Sequence, residues 1–254
     1  MLLLTVVLTN FAIVAPLSYY FARRLLRSDL PTTDLDKECE ARISTLSDCE
    51  QELRSEMEFA YTAPMHTFET HIQKVATDAL RSLKPDAADI YAVSFYVDAA
   101  EDDLRQIELN ISHNTEGHFE SSVEEASDAA EARWNYAFWS QEPDAIVAGV
   151  DDEEGQALRE QWLNDLGVNY TDEEEDEDFD AVMKLCEKIE AEFFAMAARV
   201  AKRLHETGVV TRTFGRAIPI LVHELEYDDT TVALTESANP PGVADEFVAW
   251  VNSL

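Results

Sequence analysis

The chain has 254 residues, 46% hydrophobic and 28% charged, enough for one ordinary core once the first sixty or so are set aside. Acidic residues outnumber basic ones by 52 to 19, giving a formal net charge of -33, and arginine is commoner than lysine among the bases. Such a surface repels phosphate backbones and anionic headgroups and attracts basic proteins and divalent cations, so no nucleic-acid partner is expected.

Residues Leu2 to Phe21 carry no ionisable side chain except Tyr19 and Tyr20, and Arg23, Arg24 and Arg27 follow at once. As a helix rising about 1.5 Å per residue, twenty such residues span about 30 Å, the thickness of a bilayer hydrocarbon core. Residues 1–22 therefore read as a transmembrane anchor. Basic residues beside a spanning segment stay on the cytoplasmic side, which predicts a single-pass protein of the cytoplasmic membrane with its C-terminal domain in the cytoplasm. A cleaved secretory signal would carry its basic residues first and a small-x-small site last, where Tyr19, Tyr20 and Phe21 stand instead. A start at Met57 or Met65 is the remaining alternative.

Residues 23–63 read as a helical stalk or linker. Pro31, Thr32, Thr33 and Asp34 suit the end of one helix and the cap of another, and Ile43, Leu46, Leu53, Met57 and Ala60 keep a three-four spacing interrupted by Glu50. The alternatives are weak dimerisation through this seam and a solvated linker helix. Cys39 and Cys49 lie about 15 Å apart along such a helix and cannot bridge within it. Three scattered cysteines suit a reducing compartment, and Cys186 reads as a small core residue.

The globular domain is predicted over 64–254. Phe68, Ile72, Val75, Ala76, Ala79, Leu80 and Leu83 recur with helical period before Pro85. Ile90 to Val97 and Arg105 to Ile111 read as two strands of a hairpin, joined by the acidic turn Asp98 to Asp103. A surface helix is expected over 119–133, then the aromatic knot Trp134, Tyr136, Phe138 and Trp139, then a short helix over 153–166. The acidic run Asp172 to Asp178 lacks the glycine and closing glutamate of a calcium loop and reads as a solvated loop. A long helix from Phe179 to Glu206 carries one apolar stripe and ends at Gly208. A third strand over Ala217 to Leu225 is expected, its Pro219 favouring an edge or the strand's start, then a short strand near Thr231 to Leu234, and a closing helix over Val243 to Val251. The fold class is α+β, a small antiparallel sheet with helices packed on it, preceded by the transmembrane helix and stalk.

Chemistry is sparse. Two pairs of the six histidines share a five-residue offset, His66 with His71 and His113 with His118, which puts the members of each pair on different sides of a helix. His223-Glu224 lacks the second histidine of a zinc-protease helix. No phosphate loop and no nucleophile elbow occur, and no metal or cofactor is expected. The loop His113, Asn114, Thr115, Glu116, Gly117, His118 is the most polar segment; turn chemistry and helix capping compete there with a binding role. The aromatics Trp134, Tyr136 and Trp139 belong either to a core or to a binding surface, and His223 completes the candidate residues.

The order of these segments resembles a known family. Phe68 to Leu83, Asp89 to Asp98, Asn114-Thr115-Glu116, Trp134-Asn135-Tyr136 with Phe138-Trp139, Ile220 to Tyr227, and Ala238-Asn239-Pro240-Pro241-Gly242 with Phe247 and Trp250 are similar to the bacterial domain of unknown function 4303 family over residues 64–254. The resemblance implies no activity for any residue. The leading expectation is a membrane-tethered, cytoplasm-facing acidic interaction module, non-enzymatic and of the immunity type, that binds a basic protein partner. Its rivals are a hydrolase or ligand-binding enzyme using His113, His118 and His223, which must then share one pocket, and a halophile's housekeeping domain whose charge selects no partner.

Overall fold

Thr67 opens the first helix reciprocally with Thr70. Thr67 Oγ1 accepts from Thr70 N at 3.3 Å, and Thr70 Oγ1 accepts from Thr67 N at 2.8 Å, satisfying two donors that a helix start leaves free. Helix α1 (Phe68–Ser82) buries Phe68, Ile72, Ala76, Ala79 and Leu80 at the spacing read from the sequence. The computed structural model describes residues 67–83 and 88–254, and elements are numbered from there. The expected anchor, the stalk, Cys39, Cys49 and His66 lie outside the described residues. Among the described residues no helix is long and apolar enough to cross a membrane.

Strands β1 (Ile90–Ala99) and β2 (Ile107–Thr115) form the expected antiparallel hairpin, with Phe95 opposite Ile111 and Tyr96 opposite Asn110. Strand β3 (Ala145–Val147) pairs antiparallel with β2, and β4 (Ile220–His223) pairs parallel with β1. The order is β3-β2-β1-β4. The class is α+β as expected, but the sheet is mixed rather than antiparallel: the chain reaches β4 only after a long helical excursion, and its return beside β1 is not written in any local pattern. Pro219 stands just before β4, and β4 is an edge strand.

That edge is blocked by side chains. Asn239 Oδ1 accepts from Ile220 N at 2.9 Å and its Nδ2 donates to Ile220 O at 2.7 Å, while Thr235 Oγ1 accepts from Val222 N at 3.1 Å. The Asn-Pro-Pro-Gly segment thus supplies one amide that imitates a neighbouring strand.

The remaining helices are α2 (Glu116–Ser122), α3 (Ala129–Trp134), α4 (Glu153–Leu166), α5 (Asp172–Glu177), α6 (Phe179–Glu206), α7 (Val209–Phe214), α8 (Asp229–Ala238) and α9 (Asp245–Val251). Helices α4 and α6 match their expected spans. Three expectations are corrected. The surface helix over 119–133 is two helices, because Asp128 starts a new one by accepting from Ala130 N and Glu131 N. The acidic run is helical: Thr171 and Glu174 cap each other, and four carboxylates lie in the first turn, at the positive end of the dipole. The strand expected near Thr231 is helix α8, because the Asp228 cap and packing against β4 and α6 override the β-branched run.

The sheet separates two cores. On the first face Val93, Phe95, Ile107, Leu109, Ile111 and Val222 meet α1 and α6. Phe68, Trp162 and Phe193 join α1, α4 and α6 there, with ring centroids 5.7–6.0 Å apart. Fully burying one such side chain stabilises the fold by about 1.5–3 kcal/mol. Asp152 ties the same elements together: it caps α4 through Gly155 N, accepts from Ala148 N at 2.9 Å, and lies 2.8 Å from the buried His71 ring of α1. Gly155 is required there, since a Cβ would press on the Asp152 carboxylate and come within 2.9 Å of Ala148 N. Cys186 is buried in this core, as expected, with its Sγ 3.4 Å from the Tyr170 hydroxyl.

Candidate functional site

The second sheet face is where the polar chemistry gathers. Strand alternation sends Ser94, Tyr96 and Asp98 of β1 and Glu108, Asn110, Ser112 and Asn114 of β2 away from the first core. A register shift between Ile90 and Ala92 turns Tyr91 to this side as well, where it joins Ala92, Trp134, Trp139, Leu221, Phe247 and Trp250. The Tyr91 hydroxyl donates to Arg133 O at 2.6 Å and accepts from Asn114 Nδ2 at 2.8 Å. The Arg133 guanidinium lies 4.0 Å from the Tyr91 ring centroid and makes two 2.8 Å bonds to Glu116, holding that carboxyl below its usual range.

His223 is fully buried at the end of β4. Its Nδ1 lies 2.8 Å from Glu224 O, and a carbonyl only accepts, so Nδ1 carries the proton and Nε2 accepts from Ser94 Oγ at 2.7 Å. Burial pushes its pKa down to about 4, so the ring is neutral at pH 7. Three tyrosine rings surround it, Tyr96, Tyr136 and Tyr227, at 5.3–5.6 Å between centroids. Tyr96 stacks on Tyr136 at 5.1 Å, and Tyr227 Oη accepts from Tyr136 N at 2.8 Å. Burial first, with Asp98 beside it, pushes the Tyr96 hydroxyl up to about 12. Directly across from Ser94, Ser112 is 1% exposed and its Oγ has no hydrogen-bond partner among the described residues.

At the ends of β1 and β4 lies a pocket of about 220 Å³ lined from both sides of the sheet, by Tyr96 and Asp98 of the second face and by Val97, Ile107 and Phe194 of the first. Four carboxylates line it, Asp98, Asp102, Glu190 and Glu224, together with the apolar Leu104, Phe194 and the exposed Leu225. None of the four has an ion-pair partner among the described residues. Burial raises the Glu224 pKa, and Glu190, Asp228 and Glu226 raise it further. The hairpin turn beside the pocket holds Glu101 and Asp102 at φ 57° and 61°, a left-handed conformation costing roughly 1–3 kcal/mol per residue.

The sequence-derived residues divide accordingly. Asn114, Trp134, Tyr136, Trp139 and His223 converge on the second face, and Glu116 reaches it through Arg133. Thr115 caps α2 by accepting from His118 N, and His118 Nε2 donates to Phe138 O at 3.0 Å, so both fix local structure. His113 stands across from Val93 on the first face, its Nδ1 2.7 Å from Asp144. The three histidines therefore occupy no common pocket. Sequence reasoning missed Ser94, Tyr96, Ser112, Tyr227 and the acids of the strand-end pocket. The alternation of Ser94, Tyr96 and Asp98 with Val93, Phe95 and Val97 was the available signal for the first two.

No family model, curated protein or solved structure matches the chain.

Proposed function

We propose that this chain is a non-enzymatic interaction module that captures a basic segment of a partner protein in the strand-end pocket. One observation carries the reading: four carboxylates with no ion-pair partner among the described residues line one pocket together with apolar side chains. A lysine or arginine side chain fits that chemistry, because its aliphatic stem seeks apolar contact while its head seeks carboxylates. The net charge of -33 extends the attraction beyond the pocket and speeds encounter, at the cost of strong salt sensitivity. The likeness to the domain of unknown function 4303 family, tethering at the cytoplasmic membrane face through residues 1–22 and an immunity-type role belong to the same proposal.

A lysine-rich fluorescent peptide, titrated at low and high salt against the full chain and against Glu190→Gln/Glu224→Gln, tests it. The expected result is binding that weakens with salt and falls about tenfold in the double variant. Binding should also strengthen as pH rises above the ordinary carboxylate range, because Glu224 ionises late. Salt-sensitive binding left unchanged by the double variant would mean diffuse attraction to the acidic surface and would overturn the pocket.

A further inference from the structure

A second cleft, on a different part of the domain, carries both signs of charge. It encloses about 530 Å³ between α4 and the turn before β2, lined by Arg105, Glu153, Gln156, Arg159, Glu160 and Tyr170 among others. Arg159 is unusual in so acidic a chain. Its Nη1 donates to Ile107 O at 3.0 Å and Ala148 O at 2.9 Å, no carboxylate pairs with it among the described residues, and its Nε and Nη2 have no acceptor there. Glu108, Asp103 and Asp152 act on it only from beyond ion-pair distance, while burial lowers its pKa. Arg105 is held over the Tyr170 ring at 4.7 Å and anchored by Asp103 and Asp172, which fixes a second guanidinium at the wall. Glu153 and Glu160 are exposed on the α4 side of the same cleft and pair with no cation there.

A simple anion meets the field of the whole chain before it reaches Arg159, and the cleft's own glutamates oppose it again. A small molecule carrying both charges escapes that repulsion. We infer that this cleft binds a small zwitterion, its anionic group on the free edge of Arg159 beside Arg105 and its ammonium group toward Glu153 and Glu160. The pocket is large enough for an amino acid, and the fixed Tyr170–Arg105 wall costs little ordering on binding. The anionic group is a carboxylate or a phosphate, and both satisfy a guanidinium edge.

Isothermal titration of the full chain with L-glutamine, phosphoethanolamine, acetate and ethylammonium, each at the same ionic strength, decides it. Saturable heat is expected from glutamine or phosphoethanolamine, and whichever binds identifies the anionic group, while acetate and ethylammonium give none. Glu160→Gln, at an exposed helix position, should weaken the zwitterion about tenfold. Arg159→Gln should abolish binding; because it also cuts two bonds to backbone carbonyls, its fold is checked by circular dichroism, and Glu160→Gln stands as the independent test. Binding of neither zwitterion, acetate binding as tightly as glutamine, or an unchanged affinity in Glu160→Gln would overturn the inference.

Discussion

The two faces of one sheet are built on different principles. The first is aliphatic and aromatic, with Val93, Phe95, Leu109 and Ile111 packed on long helices, and its stability rests on volume. The second sets hydroxyls, amides and a neutral imidazole beneath tyrosines and tryptophans, and its stability rests on pairing buried polar atoms, Ser112 Oγ being the exception among the described residues. Removing carbon damages the first face most, whereas the second is sensitive to which hydrogen bond is lost. Both pass through β1, so from Ala92 onward parity commits each side chain to one regime, while the register shift at Tyr91 adds that ring to the second face.

The comparison is tested hardest by Phe193→Ala on the first face. Phe193 is fully buried between α1 and α4, and its truncation should cost about 3–5 kcal/mol in urea unfolding. A loss below about 1 kcal/mol would show that volume does not govern that side.

Acidification probes the second face. His223 has an unperturbed pKa of 6.5 and a folded value of about 4, so the unfolded chain binds the extra proton between those limits. Its contribution is complete above pH 6.5 and declines as pH falls toward 4, by roughly 3 kcal/mol in all. His205, depressed by burial, acts in the same direction. Protonation of the many carboxylates relieves repulsion and opposes both, so the informative quantity is the difference from His223→Phe, in which this part of the pH slope should vanish.

Two serines sharpen the contrast at a finer scale. Ser94→Ala removes the donor to His223 Nε2 and leaves a buried acceptor unpaired, which should cost about 1–3 kcal/mol. Ser112→Ala, on the opposing residue, removes a buried hydroxyl that bonds to nothing among the described residues, and should change stability by less than about 0.5 kcal/mol or raise it. Equal losses at the two positions in denaturant titrations would mean that packing, not pairing, governs this face.

How much of this was readable beforehand depended on range. The 28-residue helix α6, helix α4, the β1–β2 hairpin and the burial of Cys186 all followed from patterns contained within a few turns or one alternation, and of the two caps that the polar loop offered, Asn114 or Thr115, the structure uses Thr115. Strand β3 has three residues, too few for a periodic signal, and α5 is a cap-driven helix whose seven-acid surroundings read as a loop. Candidate-site residues were recognised singly, but their grouping was not: His113 and His223 looked alike in sequence and sit on opposite sides of the sheet.

By itself, then, the sequence determined the acidity, the helical and hairpin segments, and the parity that divides β1 between two environments, because all of these depend on neighbours along the chain. Only the tertiary structure decided that β4 returns parallel to β1 and carries His223 to Ser94, 129 residues away, and that Glu190 and Glu224 line one pocket. Those pairings come from the closing of long loops, whose outcome is set by which surfaces bury each other and not by any local period.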